Sequence, residues 1–195
     1  PLGIPLIIDN TAAPVICKPF DHGASVLLHS TTKYIGGHGN SIGGILVDSG
    51  NFEWEKFPER QPKLNTPDPS YAGAVWTEAV KPLGPIAYIL KARVTLLRDM
   101  GAAMSPFNAF MFLTGMETLP LRMREHSKNA VKVADFLKSH KKVEKVIYPT
   151  EVAVERAEKY LSGGNGGLMG FEIAGGRDAG KKFINSLELF YHVAN

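Results

Sequence analysis

Residues 25–39 read SVLLHSTTKYIGGHG, a short apolar run followed by hydroxyl side chains, Lys33 and a series of glycines. Two similar apolar runs flank this stretch, Leu6–Ile8 ending in Asp9 and Gly44–Val47 ending in Asp48. Runs of this length, apolar without polar alternation, are typical of strands covered on both faces. The sequence therefore predicts an α/β fold in which these runs are strands of a sheet.

Asp9 and the segment Ser30–Lys33 each follow a predicted strand, and ligands of α/β sheets bind beyond the carboxyl ends of strands. Taken alone, each feature has an ordinary interpretation. An Asp at a strand end is often a turn or cap residue, and most lysines lie on the surface. The cluster Gly36–Gly44, with five glycines in nine residues, indicates either a tight turn or a phosphate cradle.

Two nucleotide-binding motifs do not fit the glycine cluster. A P-loop has Gly-Lys-Ser/Thr after its glycines, whereas Lys33 precedes them. A dinucleotide fingerprint opens a helix, and no helix-forming stretch directly follows Gly44. Pyridoxal phosphate (PLP) fits better, because it needs a lysine for an imine, a carboxylate for its ring nitrogen and hydroxyl donors for its phosphate.

The segments Ile8–Thr11, His29–Tyr34 and Gly36–Gly39 together resemble the Cys/Met-metabolism group of PLP-dependent enzymes of fold type I. The resemblance continues through Phe112–Leu119, Arg122, Arg124, His126 and His192–Asn195. It implies part of the large PLP-binding domain, a mostly parallel sheet with flanking helices, in residues 1–117. Part of a smaller α+β C-terminal domain would follow in residues 118–195.

Within this group, GNSIGG at residues 39–44 is most similar to the O-acetylhomoserine sulfhydrylase branch, and the Pro-rich stretch 51–85 also suits it. The related cystathionine synthases and lyases tend to carry an acid where this chain has Asn40. The resemblance implies γ-replacement of O-acetyl-L-homoserine with sulfide, giving L-homocysteine and acetate in methionine biosynthesis. Alternatives are a cystathionine γ-synthase or methionine γ-lyase type of enzyme, or a non-catalytic fragment that binds nucleotides or mediates subunit contacts.

The resemblance also implies roles for individual residues. Lys33 would be the catalytic lysine that holds PLP, Asp9 would pair with the ring nitrogen, and Ser30 and Thr32 would contact the phosphate. Asn195 would lie near the substrate carboxylate. No metal site is expected, because the histidines show no metal-ligand spacing.

Composition limits the partners and the compartment. The formal net charge is +3 and the basic residues are interspersed with acids, which argues against a nucleic-acid partner. Cys17 is the single cysteine, so a reducing compartment is expected. No apolar run approaches the ~20 residues that span a membrane. We expect a cytoplasmic protein without a membrane partner, and the resemblance implies a homo-oligomer, a dimer of dimers in the parent enzyme.

Helical spacing and end signals predict the remaining elements. The strongest prediction is a helix over Thr118–His140, with Thr118 as its cap and Pro120 in its first turn. Residues 51–85 are rich in proline and are predicted to be irregular and to run over the surface. Further predicted helices are Ile86–Met100, Ser105–Thr114, Val154–Leu161 and Asp178–Leu187, and further predicted strands are Val143–Tyr148, Leu168–Ala174 and residues 189–195.

Chains of the resembled family are longer than this one, so a piece truncated at both ends is expected. The arginine that grips the substrate carboxylate in the family would lie outside this sequence. Without it the substrate would lose both orientation and charge pairing. We therefore expect the 195-residue chain by itself to be inactive.

Overall fold

The computed structural model describes residues 2–193 and contains a three-stranded sheet and a two-stranded sheet. The strands are β1 (Ile7–Asp9), β2 (Val26–Ser30), β3 (Gly44–Asp48), β4 (Val143–Ile147) and β5 (Gly170–Ile173). The helices are α1 (Pro62–Asn65), α2 (Trp76–Ala79), α3 (Ala87–Lys91), α4 (Pro106–Glu117), α5 (Leu119–Ser139), α6 (Pro149–Val152), α7 (Val154–Tyr160) and α8 (Gly176–Asn185).

The first sheet brings two predicted site segments to one edge. Strand β1 pairs with β2 in parallel, with Asp9 opposite Leu28, and β2 pairs with β3 antiparallel, with Ser30 opposite Gly44. Because β1 and β2 run in the same direction, their carboxyl ends lie side by side. Coverage on both faces is confirmed at the start of the central strand β2, where the consecutive residues Val26 and Leu27 are both buried. It is wrong for the edge strands, since Ile7 on β1 is 49% exposed and Leu46 on β3 is 38% exposed.

The Pro-rich stretch 51–85 is irregular as predicted, but it does not only run over the surface. It supplies most of a core cluster that packs on strand β2, in which Trp54 and Trp76 are 2% and 7% exposed. The buried members are Val26, Trp54, Leu64, Trp76, Val80 and Ala87. The prolines break regular structure, whereas the two tryptophans of the same stretch supply the large apolar area that a core requires. The surface prediction is therefore wrong.

A short π-helical turn, Thr31–Ile35, follows β2 and carries Lys33. We call it the lysine turn. Its backbone is kinked at Lys33, where φ is −88° and ψ is −125°. The Gly36 N–H donates to Thr31 O at 2.9 Å and the Gly37 N–H donates to Lys33 O at 2.8 Å. These two bonds close the turn.

Helix α5 confirms the strongest helix prediction to within one residue at each end, and Pro120 lies in its first turn. Thr118 occupies the N-cap position, but the prediction that its side chain caps the helix is wrong. The Thr118 hydroxyl does not bond to a helix N–H but donates to Gly115 O at 3.4 Å. It is oriented toward the end of α4 because that helix stops one residue earlier.

Helix α5 also supports the second sheet, in which β4 and β5 pair antiparallel. Its residues Ala130 and Ala134 form a buried cluster with Val146 and Tyr148. The predicted strand at 189–195 is wrong over residues 189–193, which form no strand, and Tyr191 is 84% exposed. Residues 194 and 195 lie outside the described range.

The other predicted elements are present within a few residues of their expected bounds. The helix predicted over Ile86–Met100 consists of α3 and a π-helical continuation, Ala92–Asp99. Between residues 2 and 193, no helix combines the length and the apolar character that crossing a membrane requires.

Candidate functional site

A cavity of about 720 Å³ lies at the carboxyl ends of β1 and β2. Asp9, Thr32 and Lys33 line it, so three of the predicted site residues share one space. Its size is in the range of 300–1,000 Å³ that is typical of small-molecule sites. Further lining comes from Thr11, Ala12, Tyr34, Gly37, Gly39, Arg122, His126 and Leu168.

Asp9 is held as a carboxylate at this edge. The Thr11 N–H donates to Asp9 Oδ1 at 3.0 Å. Hydrogen bonds from the Thr11 side chain and backbone lower the pKa of Asp9 below its usual value, and the nearby His29 acts in the same direction. A carboxyl group with a lowered pKa remains charged at neutral pH and can pair with a cationic ring nitrogen.

Thr11 joins the two strand ends. Besides its bond to Asp9, its hydroxyl oxygen accepts a hydrogen bond from the Ser30 N–H at 2.8 Å. The Asn10 N–H donates to Leu28 O at 2.9 Å and extends the same pairing. The sequence motif Ile8–Thr11 indicates no such role for Thr11, because the contact depends on the register between β1 and β2.

Thr32 lines the cavity with a hydroxyl that already has partners. It donates to Gly43 O at 3.2 Å and accepts from the Gly43 N–H at 3.0 Å. A phosphate contact from Thr32 would therefore require its proton to turn away from Gly43. Ser30 lies at the end of β2 but is not among the described residues that line the cavity.

His29 lies on β2 directly before Ser30. Its burial lowers the pKa of the imidazole, and the charge on Asp9 partly offsets this effect. The Nδ1 atom is buried without a hydrogen-bond partner among residues 2–193. Because its pKa is lowered, the ring is neutral at neutral pH.

The wall opposite the strands comes from the second half of the chain. The ring of His126 on α5 lies 5.4 Å from the ring of Tyr34, measured between centroids. Burial raises the pKa of Tyr34. Gly167 lies so close that a Cβ there would be 2.7 Å from the Tyr34 hydroxyl. Sequence reasoning did not place residues 167 and 168 beside the lysine turn, since no local pattern indicates it.

One predicted site residue cannot be placed in the cavity. Asn195, the predicted substrate residue, lies outside the described residues. In the described part of the chain, no group of three or more His, Cys, Asp or Glu side chains is arranged to hold a metal ion.

Known proteins are similar to this chain over nearly its full length. A family model described as Cys/Met metabolism PLP-dependent enzyme matches residues 2–195. An O-acetyl-L-homoserine sulfhydrylase from Leptospira meyeri is 50% identical over 100% of this chain and 46% of that protein. A homocysteine synthase from Schizosaccharomyces pombe is 44% identical over 99% of this chain and 46% of that protein. The chain thus spans less than half the length of these relatives.

A solved structure confirms the predicted fold class. It is a Campylobacter jejuni protein described as an O-acetylhomoserine (thiol)-lyase, and it contains N′-pyridoxyl-lysine-5′-monophosphate. It matches with a TM-score of 0.87 and 36% identity, over 99% of this chain and 48% of that one. The chain therefore has the fold of part of a fold type I PLP-dependent enzyme.

Proposed function

The chain belongs to the Cys/Met-metabolism family of PLP-dependent enzymes, and from this membership we propose that the whole protein replaces the acetate of O-acetyl-L-homoserine with sulfide. The products are L-homocysteine and acetate. The observation that carries the proposal is the shared cavity of Asp9, Thr32 and Lys33. The choice of substrate rests on the relatives, which are named O-acetyl-L-homoserine sulfhydrylase and homocysteine synthase.

The residues around the cavity fit PLP. Lys33 supplies an amine for covalent attachment, and Asp9 supplies a carboxylate that Thr11 keeps charged. The lining at Gly39, where nothing lies within 4 Å of an added Cβ, lets the backbone approach a ligand without an interfering side chain. When bound, PLP supplies an electron sink for the carbon atoms next to the substrate nitrogen.

We propose the following roles for the chain's own residues. Lys33 holds the cofactor and, once released, accepts and returns protons at the substrate carbons. Asp9 keeps a proton on the ring nitrogen by electrostatic attraction. Thr32 and Ser30 are proposed for the phosphate, with Thr32 better supported because it lines the cavity. Asn195 is proposed to lie near the substrate carboxylate.

A reduction experiment tests the role of Lys33. The whole protein is incubated with PLP, reduced with borohydride, digested and analysed by mass spectrometry. We expect the pyridoxyl group on the peptide that contains Lys33, and no label there in Lys33→Ala. Lys132→Ala, which removes an exposed lysine on α5, is the matched control and keeps the label. Label on a different lysine in the unmodified protein would contradict the proposal.

The substrate assignment needs a separate measurement. The purified whole protein is supplied with O-acetyl-L-homoserine and either sulfide or cysteine, or with methionine alone, and the products are separated by chromatography. We expect homocysteine from sulfide as the main product. Cystathionine from cysteine as the main product would favour the γ-synthase alternative, and breakdown of methionine would favour the γ-lyase alternative.

We also propose the organisation and location of the protein. A boundary at residues 117 and 118, between α4 and α5, is supported by the end of α4 at Glu117. A homo-oligomer is consistent with the large apolar side chains exposed on α4, such as Phe107 at 67% and Phe110 at 64%. A cytoplasmic location is consistent with Cys17, which is a free thiol in the structure.

A further inference from the structure

Arg122, on the first turns of α5, contacts the lysine turn from the other half of the chain. Its Nη1 donates to Tyr34 O at 2.7 Å, and its Nη2 donates to Ile35 O at 3.3 Å. Tyr34 lies 88 residues earlier in the sequence. One guanidinium thus binds two consecutive carbonyl oxygens directly after Lys33.

The same guanidinium also binds the junction between α4 and α5. Its Nη2 donates to Gly115 O at 2.8 Å, and its Nε donates to the Thr118 hydroxyl at 3.1 Å. A guanidinium has five N–H donors. With four hydrogen bonds inside the described protein, Arg122 is fixed in place and has little capacity left to bind an anionic ligand.

The carbonyl groups that Arg122 binds are those that a short helical turn leaves without partners at its C-terminal end. Basic side chains commonly stabilise such carbonyls, and hydrogen bonds from a charged donor are stronger than neutral ones. The Gly36 and Gly37 N–H groups close the lysine turn on Thr31 and Lys33. The Arg122 side chain therefore acts as the C-terminal cap of this turn.

Two glycines make room for this arrangement. A Cβ on Gly37 would be 2.5 Å from Arg122 Nη1, and a Cβ on Gly115 would be 2.2 Å from Gly36 O. Helix α4 and the guanidinium can approach the turn only because both positions lack a side chain. The close contact between α4, Arg122 and the lysine turn thus depends on Gly37 on one side and on Gly115 on the other.

We propose that Arg122 is a positioning residue that fixes the lysine turn and thereby presents Lys33 to the cavity. This inference rests on the proposed role of Lys33 in holding PLP. Arg122 lines the same cavity, yet its hydrogen bonds go to backbone carbonyls and to Thr118 rather than into the open space. Its effect on the reaction is exerted through the backbone that carries Lys33.

Amide hydrogen exchange in the cofactor-free whole protein tests the cap directly. In Arg122→Ala, the Gly36 and Gly37 amides should exchange about tenfold faster or more, because hydrogen bonds from a charged donor to the turn are lost. Arg122→Lys should give an intermediate rate, since an ammonium can bind one of the two carbonyls. Arg124→Ala removes an exposed arginine from the same helix and should leave these rates unchanged.

Cofactor attachment provides the second readout. The apparent affinity for PLP, measured by absorbance, should fall about tenfold or more in Arg122→Ala. The affinity of Arg122→Lys should lie between that of Arg122→Ala and that of the unmodified protein. Unchanged exchange at Gly36 and Gly37 in Arg122→Ala would overturn the inference. An equal increase in the exchange rates of the amides in β4 and β5 would also overturn it, because that would indicate a general loss of stability. If Arg122→Ala does not fold, the Arg122→Lys rates decide by the same criteria.

The two proposals fail in different ways. No PLP on Lys33 in the unmodified protein would overturn the proposed function, whatever the exchange rates are. The role of Arg122 alone would be overturned by a different result. In that case PLP is attached to Lys33 in the unmodified protein, and Arg122→Ala has the same amide exchange rates and the same apparent affinity for PLP as the unmodified protein.

Discussion

Replacing Gly37 by alanine should destabilise the protein much more than the same change at Gly39. Both glycines have left-handed backbone conformations, with φ of +76° and +63°. A Cβ on Gly37 would lie 2.5 Å from Arg122 Nη1, whereas nothing lies within 4 Å of a Cβ on Gly39. Comparing the two substitutions therefore separates the free-energy cost of the left-handed backbone from the cost of the steric contact with Arg122.

The magnitudes follow from these contacts. An L-residue in the left-handed region costs about 1–2 kcal/mol, and this term applies to both positions. In Gly37→Ala the guanidinium must also move, and losing one of its hydrogen bonds costs about 1.5–3 kcal/mol. We expect a loss of about 2.5–5 kcal/mol for Gly37→Ala against about 1–2 kcal/mol for Gly39→Ala.

Chemical denaturation of the cofactor-free whole protein, at one fixed protein concentration, measures both losses. A double-mutant cycle isolates the contact, because Gly37→Ala in the Arg122→Ala background should cost only the backbone term of about 1–2 kcal/mol. Equal losses for Gly37→Ala and Gly39→Ala in the unmodified background would refute the reasoning. The steric contact with Arg122 would then contribute nothing to stability.

Three further changes test the core and the pH dependence by the same denaturation measurement. Tyr148→Phe removes a buried hydroxyl that donates to the backbone carbonyl of Gly166 at 2.9 Å, and it should cost about 1–3 kcal/mol. The same change at the exposed Tyr160 should cost less than about 0.5 kcal/mol, and equal losses for the two variants would contradict this. Met123→Ala, at a side chain 1% exposed, should cost about 2–5 kcal/mol, whereas Met100→Ala, 74% exposed, should cost less than about 0.5 kcal/mol. The pKa of His29 is lowered in the folded state, so as the pH falls the unfolded state binds a proton at this side chain before the folded state does. The contribution of neutral His29 to the free energy of unfolding should be complete above the ordinary His pKa of about 6.5 and should decline as the pH falls below it. In His29→Asn this decline should be smaller. An unchanged dependence of the free energy of unfolding on pH would contradict burial of His29 as the cause of the decline.

Local patterns were sufficient for most elements and for part of the site. The apolar runs before Asp9 and Ser30 predicted strands, and the structure places Asp9 and Lys33 around one cavity. Trp54 shows where local patterns failed. The prolines that follow it indicated a surface segment, whereas its burial depends on packing against strand β2 and helix α3. The stretch 189–193 failed for the opposite reason, since apolar residues form a strand only where a partner strand is available.

The sequence alone determined which chemical groups are available, because residue types and their order name a lysine, an acid and hydroxyls at strand ends, and the family motifs are local. The tertiary structure decided which of these groups share a space. Thr11 joins Asp9 to the Ser30 backbone only through the register of β1 and β2. Arg122 reaches Tyr34 across 88 residues. Contacts between distant segments depend on how the chain packs, and a local pattern carries no information about that.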